Sequence, residues 1–306
     1  MRLTPSNAQP HAPANSTSHS FKVTLPSLLE KKRSHAPIVA LTAYDYASAR
    51  IADEEDIDLV LVGDSLAMVM LGYDSTLPVT VDEMLLFTRA VRRGVRRALL
   101  VADMPFGSYH ADVREGVSNA VRFLKEAGAE AVKIEGGRVR AELVRALVDA
   151  EVPVIGHIGL TPQSVHRMGG YRVQGKTISA AEHLLDDAHA LAEAGASMIV
   201  LEGIPREVAA RITQELTIPT IGIGAGPECD GQILVLHDLL GLNTGPAAKF
   251  VRRYADIGSQ MREAITKYRE DVTARAFPSD AESYHLATDA RVELHAALQA
   301  TKLKKA

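Results

Sequence analysis

A chain of 306 residues with 46% hydrophobic and 24% charged content has the composition of an ordinary folded protein, long enough for one barrel-sized core or two smaller domains. Lys and Arg number 34 against 38 Asp and Glu, and the resulting −4 argues against the polyanion-binding surface that nucleic acid demands. Cys229 is the only cysteine, so no intrachain disulfide forms and a reducing, cytoplasmic setting is the simpler reading; no apolar stretch is long enough to cross a membrane.

Residues 1–20, MRLTPSNAQPHAPANSTSHS, are small and polar, with no acid and no apolar h-region. They read as a disordered tail, with an acid-poor transit peptide as the weaker alternative. From about residue 37 the chain alternates short β-branched runs with longer amphipathic stretches, the pattern of βα units around a parallel sheet. The runs are IVALTA (38–43), LVLVGD (59–64), ALLVAD (98–103), AVKIEG (131–136), VPVIGH (152–157), SMIVLE (197–202), TIGIGA (220–225) and QILVLHD (232–238). Eight runs predict an α/β fold of the (β/α)8 TIM-barrel type over residues 21–285, with an N-terminal helical segment and a helical C-terminal extension over 286–306. PECDG and a few neighbours are all that separate the seventh run from the eighth, too little for a crossover helix. If the eighth run is misplaced, an open doubly wound sheet fits instead.

Between the runs, Thr80 with Glu83 predicts a capping box, and Gly94, Gly128 and Gly195 stand where helices are expected to end. Longer insertions cover residues 65–79 and 158–179. The second is Gly-rich and polar, which suits either a lid or a plain surface loop.

The active sites of such barrels lie at the carboxyl ends of the strands. The runs here end in Asp64 and Ser65, in Asp103, in Glu135, in His157 and in Glu202. One strand-end aspartate is more often a helix cap or turn former than a catalyst. Four carboxylates at one rim repel each other unless a cation or shared protons compensate. In AVKIEG the alternation puts Lys133 and Glu135 on one face and Val132 with Ile134 on the other, so the charged pair is expected inside the barrel. A structural ion pair is the plainer explanation, and a site the sharper one. Oxygen donors without cysteine suit a hard cation such as Mg2+, a Lewis acid toward a carbonyl oxygen. IGIGAG (221–226) fails the G-x-G-x-x-G spacing, which argues against a dinucleotide site; its glycines serve close ligand approach or tight packing.

GDS (63–65), GYDSTLPVT (72–80), RRG (92–94), ADMPFGSY (102–109), KIEGG (133–137), GHIGLTPQSV (156–165), GGYRVQG (169–175), LEGIP (201–205) and IGIGAG together resemble the ketopantoate hydroxymethyltransferase family, over about residues 22–285. The resemblance implies a magnesium-dependent TIM barrel that moves a one-carbon unit from methylenetetrahydrofolate to α-ketoisovalerate in pantothenate biosynthesis, assembled as a decamer in bacterial members. It implies Asp64, Asp103 and Glu135 as metal carboxylates and Asp64, Ser65, Asp103 and Lys133 at the keto acid. Lys133 also supports the chemistry, Glu202 is the proton acceptor, and His157 has a supporting role at the substrate. Two rivals share parts of this pattern. Carbon–carbon lyases resembling isocitrate lyase and phosphoenolpyruvate mutase commonly carry a loop cysteine, whereas Cys229 lies beyond the seventh run. A non-catalytic assembly protein has no use for the rim acids.

Overall fold

A computed structural model describes residues 21–303 apart from residues 244 and 246, so the tail expected over 1–20 lies outside the described residues. The chain divides into two compact units: one runs through Leu239 and includes Gly245–Arg252, the other is formed by Leu240–Thr244 and the chain from Arg253.

In the first unit α1 (Leu25–Arg33) leads into β1 (Ile38–Thr42), α2 (Tyr46–Glu54), β2 (Leu59–Val62), α3 (Leu66–Val69), α4 (Val81–Gly94) and β3 (Leu99–Asp103). There follow α5 (Val113–Ala127), β4 (Ala131–Glu135), α6 (Ala141–Asp149), β5 (Val154–Gly159), α7 (Val165–Met168) and α8 (Ile178–Glu193). The unit continues with β6 (Met198–Glu202), α9 (Arg206–Glu215), β7 (Thr220–Ile223), β8 (Gly231–Leu234) and α10 (Leu236–Leu239). The strands pair in parallel in chain order, and β8 returns to β1, so the sheet is a closed eight-stranded barrel and the open-sheet alternative falls. The short seventh interval is real: residues 224–230 join β7 to β8 with no helix. Both strands have only four residues, and a link of that length, at about 3.3 Å per residue, is long enough to run back along one of them. The eighth run is shorter than its sequence suggests, because residues 236–239 turn into α10.

The capping box forms as expected: Glu83 N donates to Thr80 Oγ1 (3.2 Å) and Thr80 N to Glu83 Oε2 (2.8 Å). Gly128 ends α5 in a left-handed conformation (φ 74°). Gly94 acts differently, as the last residue of α4: a Cβ there would lie 2.6 Å from Tyr46 O and 2.9 Å from Arg50 N, so it lets α4 approach α2.

Strand alternation splits the buried residues into two cores. Leu61, Val101, Ile155, Met198 and Ile233 point inward and cluster with Leu28 of α1. Val60, Leu100, Val132 and Ile134 point outward and pack with helical residues such as Phe123, Val144 and Leu191. The second unit contains α11 (Ile257–Thr273) and α12 (Thr288–Leu303), the latter within the expected C-terminal extension.

Candidate active site

The inward face of the strands changes character at their carboxyl ends. On β4, Ala131 belongs to the inner apolar core, while the next residues of the same parity are the buried Lys133 and Glu135. Register sets their neighbours: Asp103 of β3 stands beside Lys133, and His157 of β5 beside Glu135. Lys133 Nζ lies 2.8 Å from Asp103 Oδ1, 3.9 Å from Glu135 Oε1 and 3.1 Å from His157 Nδ1. His157 Nδ1 is also 3.4 Å from Glu135 Oε1, and its Nε2 is 3.2 Å from Glu202 Oε2 at the end of β6. Asp64 follows β2, and its backbone N–H donates to Asp103 Oδ2 (3.0 Å). Ser65 Oγ lies 2.8 Å from the buried Tyr44 hydroxyl. All seven residues singled out in the sequence, Asp64, Ser65, Asp103, Lys133, Glu135, His157 and Glu202, therefore belong to one end of the barrel.

Three further residues complete the network. Gln163 is buried just beyond β5, where its Nε2 donates to Asp64 Oδ2 (2.9 Å) and Met104 O (3.0 Å) and its backbone N donates to Glu135 Oε2 (2.9 Å). Tyr109 OH donates to Gln163 Oε1 (2.6 Å) and accepts from Glu135 N (3.0 Å). Tyr44 is the third. Gln163 and Tyr109 lie inside GHIGLTPQSV and ADMPFGSY, so the signal available was the motif block; nothing in hydrophobic periodicity marks a buried glutamine in a loop.

Burial, with the charges of Asp103 and Glu135 behind it, lifts the Asp64 carboxyl well above its ordinary range. Asp103 is raised by burial as well, against the downward pull of Lys133. For Glu135 burial is outweighed by His157, Lys133 and the Gln163 N–H, and its carboxyl sits below the ordinary value. Burial and the Lys133 charge push the His157 imidazole down, but its contacts with Glu135 and Glu202 prevail and raise it to about 9. Lys133 is raised because Asp103, Glu135 and Asp64 together outweigh its burial.

Two cationic side chains, Lys133 and His157, thus stand against four carboxyls, Asp64, Asp103, Glu135 and Glu202, and the upward push on Asp64 and Asp103 marks the cost of crowding that many acids here. A divalent cation answers that crowding. Among the described residues no three His, Cys, Asp or Glu side chains form a ready-made ligand cluster. Asp103 Oδ1, apart from its ion pair with Lys133, and Glu135 Oε1 are nevertheless buried without a hydrogen bond. Oxygen-only donors in an incomplete cage fit Mg2+, which takes few carboxylates and keeps several waters.

Barrel and site together define a (β/α)8 enzyme whose charged residues gather at the carboxyl ends of its strands. A family model described as ketopantoate hydroxymethyltransferase matches residues 22–280. Proteins called 3-methyl-2-oxobutanoate hydroxymethyltransferase are similar throughout: that of Koribacter versatilis is 64% identical over 273 residues, covering 89% of this chain and 92% of its own. The Carboxydothermus hydrogenoformans protein is 55% identical over 268 residues, covering 88% and 97%. The chain belongs to the ketopantoate hydroxymethyltransferase family. Among solved structures, phosphonopyruvate hydrolase with oxalate and Mg2+ aligns with TM-score 0.53 at 14% identity, covering 92% of this chain and 98% of that one. The 2,3-dimethylmalate lyase, a PEP mutase/isocitrate lyase superfamily member, aligns with TM-score 0.52 at 17% identity, covering 92% and 97%. These two share the fold; the family assignment separates this chain from the lyase reading.

Proposed function

We propose that the chain transfers a hydroxymethyl group from methylenetetrahydrofolate to 3-methyl-2-oxobutanoate (α-ketoisovalerate), giving ketopantoate for pantothenate biosynthesis. The observation that carries this reading is the convergence of Asp64, Asp103, Lys133, Glu135, His157 and Glu202 in a chain 64% identical to a protein of that name. Asp64, Asp103 and Glu135 would hold Mg2+. Bound there, the ion supplies Lewis acidity toward the keto oxygen of the substrate.

The chain's own groups do the rest. Lys133, fixed by Asp103, keeps a positive charge beside the site as negative charge develops on the substrate. Asp64 and Ser65 orient the keto acid, Ser65 with its hydroxyl against Tyr44. Glu202 accepts the proton from C3, and His157, 3.2 Å away, holds that carboxylate in place. The C3 carbanion attacks the methylene carbon as the first of that carbon's two bonds to folate nitrogens breaks. Water then displaces the second nitrogen and supplies the hydroxyl, and the two freed nitrogens take up the proton held by Glu202 and the remaining hydrogen of the water. Residues 21–285 form the catalytic region of this proposal; 286–306 have no assigned role. Decameric assembly and a cytoplasmic setting belong to the same proposal, resting on the family resemblance and the single cysteine; sedimentation tests the first.

Proton exchange at C3 in D2O, with Mg2+ and keto acid but no folate, tests the first half-reaction. Wild type exchanges, and Glu202→Gln slows exchange by about 10²–10⁴-fold. No exchange by wild type overturns the reaction assignment; equal exchange by Glu202→Gln overturns the choice of base.

A further inference from the structure

Gln163 does more than close a loop. Its side chain and backbone reach two carboxylates that come from opposite sides of β3, Asp64 beyond β2 and Glu135 at the end of β4. The orientation of its amide follows from the network. Tyr109 OH accepts the Glu135 N–H, so its own hydrogen goes to Gln163 Oε1. Nε2 then faces two acceptors, Asp64 Oδ2 and Met104 O; the flipped amide would set an oxygen against both.

We infer that Gln163 is a positioning residue for the cation-holding carboxylates. It ties one oxygen of Asp64 and one of Glu135, and so turns the opposite oxygens toward a divalent cation. The inference rests on the reading of Asp64, Asp103 and Glu135 as that set. A neutral amide suits the task on electrostatic grounds. Lys or Arg here would neutralise Asp64 and compete with the ion, while Glu would add a fifth carboxyl. Glutamine satisfies the hydrogen-bonding capacity of Asp64 Oδ2 and leaves its charge uncompensated. Glu135 shows the outcome: Oε2 accepts from Gln163 N, while the buried Oε1 makes no hydrogen bond and has only the longer ion-pair contacts to His157 Nδ1 (3.4 Å) and Lys133 Nζ (3.9 Å). Asp103 is fixed by another route, with Oδ2 on the Asp64 N–H and Oδ1 in its ion pair with Lys133. Gln163 lies on the segment between β5 and α7, so the same contact links the rim insertion over 160–177 to the carboxylates.

A purely structural glutamine makes a different prediction, a loss of stability with cation affinity intact. The deciding measurement is Mn2+ binding, by electron paramagnetic resonance, to the full-length metal-free protein at fixed pH. Gln163→Met, which keeps length and loses both donors, binds Mn2+ about 10–100-fold more weakly than wild type. Gln163→Asn keeps an amide one methylene short of Asp64 and loses affinity to a similar degree. Tyr109→Phe frees the amide to rotate and gives a smaller loss. A folded Gln163→Met or Gln163→Asn that binds Mn2+ within about twofold of wild type overturns the inference, since outer-shell partners that matter cost more than that. If Gln163→Met does not fold, Gln163→Asn carries the test. Wild type that binds no Mn2+ overturns the cation reading itself, and the inference with it; that result is visible in the wild-type arm alone.

Discussion

Two levels of the same barrel interior use one backbone rule for opposite ends. Toward the amino ends of the strands, the inward side chains of β2, β3, β5 and β6 are Leu61, Val101, Ile155 and Met198, an apolar plug. Further along the same inward faces, toward the carboxyl ends, β3 to β6 hold Asp103, Lys133, Glu135, His157 and Glu202. Lys133 belongs to both levels: its side chain joins Leu61, Val101 and Ile155 around a small cavity, and its ammonium ends at Asp103. The difference teaches that the backbone alternation only sets which side chains face inward, and that the chemistry of those side chains decides which level does the work. Charges are tolerated in the upper level because each meets a partner there, and a rigid apolar level beneath holds them at fixed spacing.

The largest effect should come from removing the residue that joins the levels. Lys133→Met keeps a stem that fits the apolar side and deletes the charge that faces Asp103 and Glu135. Breaking a buried pair while its acids remain costs about 3–5 kcal/mol, read by urea denaturation of the metal-free protein near neutral pH. C3 exchange falls by at least about 10²-fold, as expected when a fixed electrostatic donor is lost. A variant as stable and as active as wild type would mean that the two levels do not differ as described.

How far the sequence reveals this division can be followed strand by strand. AVKIEG reveals it fully, since a period of two in a buried strand leaves Lys133 and Glu135 nowhere to point except inward. The ends of the runs identified Asp64, Asp103, His157 and Glu202 because a parallel barrel turns all carboxyl ends one way. Closure by β8 was less legible, as a crossover normally needs more residues than 224–230 provide. Gly94 ends α4 as its local chemistry predicts, but its close contact with α2 appears only in the packed structure. Gln163 lay in a motif block, but its role stayed hidden for the same reason: a hydrogen bond between residues 99 positions apart leaves no local pattern.

A smaller effect, confined to the boundary between β5 and β6, is expected at Gly159. It has φ 94°, and an added Cβ would lie 2.2 Å from the carbonyl oxygen of Glu202. Gly159→Ala therefore strains the backbone by about 1–3 kcal/mol and pushes on the strand end that carries the proposed base. Thermal melting should fall and C3 exchange should slow, while Mn2+ affinity, set on β2 to β4, stays near wild type. Equal losses in exchange and Mn2+ affinity would show that the upper level moves as one body.

The smallest change is the sharpest test of the lower level as a passive frame. Ile155 sits two residues before His157 on the same face of β5 and stands in register with Lys133. Ile155→Val removes one methylene beneath the charged level and touches no polar group, so it should cost about 0.5–1.5 kcal/mol of unfolding free energy. Turnover and the Michaelis constant for the keto acid should be unchanged, because Lys133 remains held by Asp103 and His157 by Glu135 and Glu202. If turnover falls by more than about tenfold, a change of some 1.4 kcal/mol in barrier, packing beneath the site sets the geometry above it. The apolar level would then be part of the catalytic apparatus rather than its support.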